Sequence, residues 1–241
     1  MGDPSAPLDP ARPFLRRVAP GLDRVHATPD YIVVDKPAGL RAVPGRGDPS
    51  DPAIGDSIET RVRAEYEVEG PVIAHRLDIE TSGLMVIALH REAHRHLSMQ
   101  FADRGVGKGY VALIDGDLGE ASGVIDLPII VDWPNRPRQV VDFENGRPAR
   151  TRWRVIGQTR RVDRDGVEGI VTRIEFQPET GRTHQLRVHA AAPRGLGCPI
   201  LGDTLYGDPA SAPRLMLHAE YLAFADPRTD TRVEFRRPAP F

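Results

Sequence analysis

The chain contains a single cysteine, Cys198, among its 241 residues. One cysteine excludes an internal disulfide framework and any zinc finger built on cysteine ligands. Long apolar runs are also missing, since the longest is Leu84–Leu89, far shorter than the roughly 20 residues that a membrane-spanning helix needs. The N-terminal stretch lacks the apolar core of a signal peptide. We therefore expect a cytoplasmic protein that makes no membrane contact.

Lysine is equally scarce, since it occurs only as Lys36 and Lys108, and almost all of the 32 basic residues are arginines. Arginine forks bind phosphate and stack on bases, which suits a nucleic-acid ligand, although a general composition bias would give the same excess. The formal net charge of -2 argues against general polyanion binding. The charge is segregated, however: residues 51–69 hold six acids and two arginines, whereas residues 133–161 hold eight arginines and two acids. Such a local basic face is typical of RNA-binding proteins.

Glycine and proline are abundant, with 23 residues of each, which predicts many turns around a sheet. The predicted strands outnumber the helices and do not alternate strictly with them. We therefore predict an α+β fold in one compact domain, built on a mostly antiparallel mixed sheet with flanking helices and loops. Apolar patterning predicts strands at 31–35, 72–74, 84–89, 110–114, 153–155, 170–176, 215–224 and 232–235, and helices at 57–68, 92–103 and 183–192, the last capped by Thr183.

The most informative stretch, residues 75–83, is polar and lies between two apolar segments. A carboxylate at the edge of a core costs several kcal/mol unless it is paired, so Asp78 needs a reason to be there. An Asp near an Arg most often forms a surface ion pair. Here the sequence Thr81-Ser82-Gly83 predicts a tight turn that can direct the Asp78 carboxylate into a cleft. Asp78 is therefore a candidate catalytic group.

Six motifs along the chain resemble, in order, those of the RluA-type pseudouridine synthases. HRLDIETSGLMVIA at residues 75–88 resembles the catalytic motif of that family. The others are YIVVDKPAGLRAVPGR, KGYVALIDG, PETGRTHQLRVHAA, PILGDTLYG and RLMLHAEYLAF. Together they span about residues 28–235, so the resemblance implies a pseudouridine synthase catalytic domain at 28–241. Residues 1–27 carry five prolines and no sustained period, which predicts a loosely ordered arm.

The resemblance is closest to the dual-specificity RluA branch. The segments DLPIIVDWPNRPRQ and ENGRPARTRW are similar to that branch, and the stretch before Tyr31 is too short for the S4 RNA-binding domain of other branches. This implies an enzyme that isomerises uridines in the tRNA anticodon stem-loop and in a 23S rRNA stem-loop. It also implies no cofactor, no metal and no obligatory protein partner, so we expect a monomer.

The resemblance assigns roles to five residues. Asp78 matches the catalytic carboxylate, which acts as nucleophile or as base at C2′, and Arg187 matches the arginine that pairs with it. A guanidinium within about 4–6 Å favours the ionised carboxylate. Tyr110 matches the tyrosine that stacks under the base and is placed to move the C5 proton. Arg76 matches the residue that fills the gap left by the flipped uridine. Leu186 forms either part of the pocket wall or ordinary core.

The basic segment suggests where RNA binds. The segment from Arg136 to Arg161, with Trp133 beside it, is the candidate for contacting the RNA backbone and stacking a base, and Arg136 and Arg138 are its predicted substrate-binding residues. The alternative function is a non-catalytic RNA-binding or RNA-chaperone protein with the same fold. We expect the enzyme, because a pure binder has no need for Asp78, Tyr110 and Arg187 together.

Three other signals are weaker. His90, Glu92, His94 and His96 are spaced like partial zinc ligands, but no further ligand at a suitable spacing stands out, so we predict no metal site. Residues 105–109 are glycine-rich but lack the spacing of a phosphate-binding loop, and no GxSxG motif of a serine hydrolase is present. Lys36 is expected to be structural, with phosphate contact as the alternative.

Overall fold

The computed structural model describes residues 21–48, 51–162, 166 and 168–241. Within them, nine strands form one mixed sheet and two form a separate hairpin. The strands are β1 (Arg24–Ala27), β2 (Tyr31–Lys36), β3 (Ser82–Ala88), β4 (Gly107–Asp115), β5 (Ser122–Asp126), β6 (Ile129–Val131), β7 (Gln139–Val141), β8 (Arg150–Val162), β9 (Glu168–Pro178), β10 (Leu217–Ala225) and β11 (Arg232–Arg236). The helices are α1 (Pro52–Gly55), α2 (Ile58–Glu65), α3 (Arg91–Ala102) and α4 (Gln185–Ala191).

The sheet is antiparallel except at one pair of strands. Its order is β1-β2-β3-β10-β4-β9-β8-β5, with β11 also paired to β10, and β3 runs parallel to β10. Gly83 makes the parallel contact sterically feasible, since a Cβ there would lie 2.4 Å from the Ala219 carbonyl oxygen. Its φ of 120° is also a conformation that only glycine adopts readily. The predicted α+β fold with a mostly antiparallel mixed sheet is confirmed.

The strands β2 and β3 are buried on both faces, as their continuous apolar sequences predict. Val34 and Met85 face a core cluster covered by α2, whereas Val33 and Val86 face a second cluster covered by α3. On α3, Leu97 is fully buried. Burial of one such side chain contributes about 1.5–3 kcal/mol, so each helix is held to the sheet by a few residues of this kind.

A third core cluster lies under α4 and joins β4, β8 and β9. Tyr110 on β4 packs against both this cluster and the one under α2. The functional cleft lies where these two clusters meet. The fold thus places a half-buried aromatic ring between two rigid cores, at the bottom of that cleft.

Two local predictions differ from the structure. The predicted strand at 72–74 makes only a bridge from Ile73 to Ile87, because Pro71 has no amide to extend it and the chain leaves the sheet at Ala74. The last helix begins at Gln185, so Thr183 does not cap it. The turn before it is organised instead by the Gln185 amide, whose Oε1 accepts from the Thr180 hydroxyl at 2.7 Å.

The arm predicted at residues 1–27 lies mostly outside the described residues. Its last part, β1, pairs with β2, so the sheet begins inside the predicted arm. Among the described residues, no helix combines the length and the hydropathy needed to cross a membrane.

Candidate active site

A cleft of about 980 Å³ opens at the junction of the two core clusters. It is lined by the segments 41–46, 74–81 and 178–187 and by side chains of β4 and of residues 204–205. Asp78, Tyr110, Arg187, Arg76 and Leu186 all line it. The structure therefore brings together the five residues to which the sequence motifs assign roles at the reaction centre.

Asp78 lies half-buried in the loop that precedes β3. This loop is fixed through its backbone: the Gly39 amide donates to the Ile79 carbonyl at 2.8 Å, and the Thr81 amide donates to the Asp78 carbonyl at 3.2 Å. At its start, His75 is stacked on Phe101 with ring centroids 4.3 Å apart. These contacts fix the loop at both ends. The Asp78 carboxylate therefore has a defined position in the cleft.

His75 is an uncharged anchor for this loop. Its Nε2 accepts the Val86 amide at 3.1 Å. Burial, with a smaller contribution from the Lys108 charge, lowers the pKa of His75 to about 3. Arg76, which follows it, is exposed at the rim of the cleft. A neutral, hydrogen-bonded histidine therefore holds the backbone next to Arg76, whose side chain is exposed at the cleft rim.

Arg187 on α4 binds two carboxylates other than Asp78. Its Nε and Nη2 donate to the Asp203 carboxylate at 2.8 and 2.7 Å, and Nη2 also lies 2.8 Å from Glu80 Oε2. Both Arg187 and Asp203 are buried. The expected direct pairing of Arg187 with Asp78 is thus not what the structure shows, because Asp203 offers a buried bidentate partner that a half-buried carboxylate cannot match.

Asp78 still lies within electrostatic range of Arg187. Burial opposes the charge of Arg187, but its hydrogen bonds to Asp203 and the charges of Asp203, Glu80 and Asp78 outweigh this and raise its pKa. The Glu80 carboxyl has a raised pKa because burial outweighs the attraction of Arg187 and the hydrogen bond from Thr204. One guanidinium thus serves as counter-charge for three carboxylates.

Tyr110 forms the floor of the cleft. It pairs with Phe176 of β9 on one side and with Ala219 of β10 on the other. Burial, and then the charge of Asp78, raise the pKa of its phenol. The ring is therefore a neutral phenol at physiological pH. Leu186 belongs to the core under α4 and also lines the cleft, so both interpretations of it from the sequence apply.

The comparisons with known proteins agree with this arrangement. The profile described as RNA pseudouridylate synthase matches residues 30–192. The dual-specificity RNA pseudouridine synthase RluA of Pasteurella multocida (strain Pm70) is 44% identical over 225 residues, which are 92% of this chain and 95% of that protein. The protein of the same name from Escherichia coli (strain K12) is 42% identical over 225 residues, which are likewise 92% of this chain and 95% of that protein. The chain belongs to the RNA pseudouridylate synthase family.

A solved structure is similar to this pseudouridine synthase along most of its length. The human RNA pseudouridylate synthase domain containing 1 superposes with a TM-score of 0.73 at 30% identity and covers 93% of this chain and 87% of that one. The predicted family, fold class and isomerase activity are thereby confirmed, and the non-catalytic alternative is not supported.

The RNA-contacting residues predicted for this pseudouridine synthase lie beside the cleft. Arg136 and Arg138 belong to the loop between β6 and β7, where Arg136 stacks on Trp133 at 4.4 Å and Arg138 on Tyr206 at 5.3 Å. Trp133 is 63% exposed. Pro137, between the two arginines, lines the cleft. The loop thus presents a stacked Arg–Trp pair next to the active site.

Four other arginines of the basic segment are neutralised by acids of this pseudouridine synthase. Arg152 pairs with Glu179 at 2.6 Å, and Arg154 pairs with Glu175 across the strands. Arg150 and Arg161 likewise have carboxylate partners. Of the other four arginines of residues 133–161, Arg136 and Arg138 lie in the β6–β7 loop and Arg147 follows that hairpin, whereas Arg160 lies near the end of β8.

Sequence reasoning missed the residues that hold Arg187. Asp203 and Tyr206 both lie in PILGDTLYG, which was matched as a motif without a role for either residue. The Tyr206 hydroxyl accepts the Gln139 amide at 2.7 Å and hydrogen-bonds His184 Nδ1 at 2.9 Å. Its ring lies 5.4 Å from the Arg187 guanidinium. Tyr206 thus connects the β6–β7 hairpin to the active site, and its motif was the available signal.

The histidine-rich segment serves α3. His90 caps the helix and lies 2.9 Å from Asp30, while His94 and His96 contact separate partners. Within the described ranges, no group of three or more His, Cys, Asp or Glu side chains is arranged to hold a metal ion.

Lys36 is structural, and the alternative of phosphate contact is wrong. Its side chain is fully buried, and Nζ lies 3.0, 2.8 and 3.1 Å from the carbonyl oxygens of Pro37, Leu40 and Ile79, to which it donates three hydrogen bonds as an ammonium and two as a neutral amine. It therefore supports the Asp78 loop from below. Burial lowers its pKa to about 7, although the charge of Asp78 opposes this.

The lowered pKa of Lys36 predicts a pH-dependent stability. Between about pH 7 and the ordinary lysine pKa of 10.5, the unfolded chain binds a proton that the folded chain does not. Raising the pH through this range should therefore increase the free energy of unfolding. Urea unfolding at pH 7 and 9 should show a larger increase for the wild type than for Lys36→Met. Equal increases in the two proteins would contradict the assignment.

Proposed function

We propose that this enzyme converts specific uridines of RNA stem-loops into pseudouridine in the cleft, with Asp78 as the group that attacks the ribose or removes its C2′ proton. The observation that carries the proposal is the convergence of Asp78, Tyr110 and Arg187 on one cleft in a chain of this family. If Asp78 attacks, its bond to C1′ forms as the N1–C1′ bond breaks, and it is broken again when C5 bonds to C1′. If Asp78 acts as base, the C2′ proton that it removes returns to C2′ when C5 bonds to C1′. In both cases the base rotates in between, the C5 proton leaves and N1 gains a proton. Atoms balance without a cofactor.

The charges of the cleft support this assignment. Asp203 and Glu80 occupy Nε and Nη2 of Arg187, whereas Nη1 makes no hydrogen bond to any described residue. We assign to Nη1 the role of contacting Asp78 or the ribose when RNA is bound. Such a fixed guanidinium stabilises negative charge without reorganising during the reaction.

Tyr110 and Leu186 provide the surface on which the base turns. The neutral phenol ring of Tyr110 stacks beneath the uracil, and its hydroxyl relays the proton that leaves C5. Leu186 closes the apolar side of the pocket, which keeps water from hydrolysing the separated ribose and base. Arg76, exposed at the rim, inserts into the stack from which the uridine has flipped and offsets part of the unstacking cost of a few kcal/mol.

We further propose that the preferred substrate is a tRNA anticodon stem-loop, with a 23S rRNA hairpin as a second target, and that a cytoplasmic monomer suffices. The names of the relatives, which describe dual-specificity enzymes, support two targets. A cleft with a basic loop beside it suits a short stem-loop, because RNA is recognised mainly through its shape and its unstacked bases.

The substrate is tested by incubating the purified enzyme with transcripts of all tRNAs and with 23S rRNA, followed by mapping of pseudouridine at each site. We expect product in an anticodon stem-loop at lower enzyme concentration than in rRNA. A deletion strain and its complemented control should lose and regain the same sites. Loss confined to rRNA, with every tRNA site intact, would defeat the tRNA part of the proposal.

A further inference from the structure

Four basic side chains gather at one rim of the cleft. Arg104 follows α3, Lys108 lies at the start of β4, and Arg182 lies in the turn before α4; all three line the cleft. Arg147 does not line the cleft itself, but its charge acts on Arg182, whose Nε donates to the carbonyl of the next residue, Pro148, at 3.1 Å. These four residues are called the rim cluster below.

The rim cluster differs from the arginines of β8 in having no acidic partner. No carboxylate of the described residues forms an ion pair with any of its four members, whereas Arg152 and Arg154 each contact a glutamate. Like charges that are close together without a counter-ion are unfavourable. The charges of Arg147 and Arg104 add to burial in lowering the pKa of Arg182, and that of Arg104 adds to burial in lowering the pKa of Lys108. The four cationic groups are therefore not neutralised by any described carboxylate.

The local backbone keeps the rim cluster accessible. Lys108 Nζ donates to the Thr180 carbonyl at a long 3.5 Å, which leaves most of its donor capacity unused. The adjacent Gly181 has no side chain, and a Cβ there would lie 3.9 Å from this ammonium. Arg104 has φ 61°, a conformation in which glycine is usually found after a helix. The basic side chains of these segments therefore lie together at one rim of the cleft.

We propose that Arg104, Lys108, Arg147 and Arg182 form a binding site for RNA phosphodiesters that flank the flipped nucleotide. This inference rests on the proposed function, since the cleft must then receive one nucleoside while its neighbouring phosphates stay at the rim. Four cationic groups exceed what a single phosphate requires and suit two successive phosphodiesters. Arginine forks add bidentate geometry at each of them.

The first test compares two double variants that remove the same charge. Arg104→Gln/Arg147→Gln removes two members of the rim cluster, and Arg152→Gln/Arg154→Gln removes two paired arginines, so the formal net charge of -2 becomes -4 in both. Dissociation constants for an anticodon stem-loop RNA are measured between 0.05 and 0.4 M salt, about the range in which phosphate contacts dominate. The rim variant should bind about 25-fold more weakly at ~0.1 M salt, with a salt slope smaller by about 1.4.

The control variant should keep both the affinity and the slope of the wild type. An equal loss in the two variants would show a general charge effect and overturn the proposal, as would an unchanged rim variant. Both substituted rim arginines lack side-chain hydrogen bonds to the described residues, and circular dichroism with urea unfolding checks that each variant is folded.

The second test places the contact on the RNA. Single methylphosphonate linkages, which are uncharged, are introduced on either side of the target uridine. We expect such a linkage to weaken binding to the wild type about fivefold, and to weaken binding to the rim variant less, because two of the four cationic contacts are already missing there. Additive losses at every linkage would overturn the proposal.

These outcomes are separable from the proposed function. If the wild type forms no pseudouridine but the salt slopes differ as described, the phosphate site stands and the catalytic proposal fails. If the wild type forms pseudouridine but the rim and control variants behave alike, the catalytic proposal stands and the rim cluster is not a phosphate site.

Discussion

Replacing Asp78 by Asn is expected to slow pseudouridine formation at least about 10³-fold while RNA affinity stays within about twofold of the wild type. The amide has the shape of the carboxylate but can neither attack the ribose nor accept its proton. The loop around Asp78 is held by backbone hydrogen bonds and by Lys36, so it should keep its conformation. Single-turnover release of tritium from uridine labelled at C5 measures the rate, and filter binding measures the affinity.

A matched control is Asp117→Asn. Asp117 is an exposed carboxylate in the turn after β4 that does not line the cleft. It carries the same chemical change and should retain the wild-type rate. Equal product from wild type and Asp78→Asn would end the assignment of Asp78 as the catalytic group. A parallel fall in RNA affinity would instead indicate that the carboxylate acts in binding.

The sequence was sufficient to predict the central strands and the position of Asp78. Both are determined by local patterns. The strands β2 and β3 are apolar on both faces. A polar stretch between two apolar segments indicates side chains that serve a purpose other than packing in the core. The role of Tyr110 was assigned from the family resemblance of its motif, which forms β4, a strand whose apolar residues lie in the core. Such information is contained in neighbouring positions along the chain.

The partners of charged groups could not be predicted in this way. Arg154 pairs with Glu175 because β8 and β9 are in a register that places them opposite each other, and the sequence does not specify that register. The same segment therefore looked like one continuous RNA-binding face, whereas much of it is an ion-paired strand. The arginines without acidic partners are separated along the chain and meet only in the fold.

Arg187 illustrates the same limit within the active site. Three carboxylates, at positions 78, 80 and 203, compete for it, and Asp203 is favoured because it is buried and its Oδ1 also accepts the amides of Leu205 and Tyr206 at 2.9 and 3.0 Å. These hydrogen bonds form because the chain turns after residue 202. The spacing of residues in the sequence does not predict that turn. Motif matching therefore found the arginine and its motif partners but not their pairing.

Replacing Asp203 by Ala is expected to destabilise the protein by about 3–5 kcal/mol, because it leaves a buried guanidinium without its bidentate partner. Two further hydrogen bonds, from the amides of Leu205 and Tyr206, are lost at the same time. Among the described carboxylates, Arg187 would then form an ion pair only with Glu80, whose carboxyl already has a raised pKa. Urea unfolding at pH 7 measures the change in the free energy of unfolding.

Glu80→Gln serves as the comparison, since Glu80 contacts the same guanidinium but is partly exposed, and its amide can still accept hydrogen bonds from Arg187 and Thr204. It should cost about 1 kcal/mol or less, as expected for the loss of one charge from an intact hydrogen bond. Asp203→Asn should lie between the two, because its amide oxygen still accepts the backbone donors. If Asp203→Ala proved no more destabilising than Glu80→Gln, Glu80 or water would be an adequate substitute, and Asp203 would not be the residue that fixes Arg187.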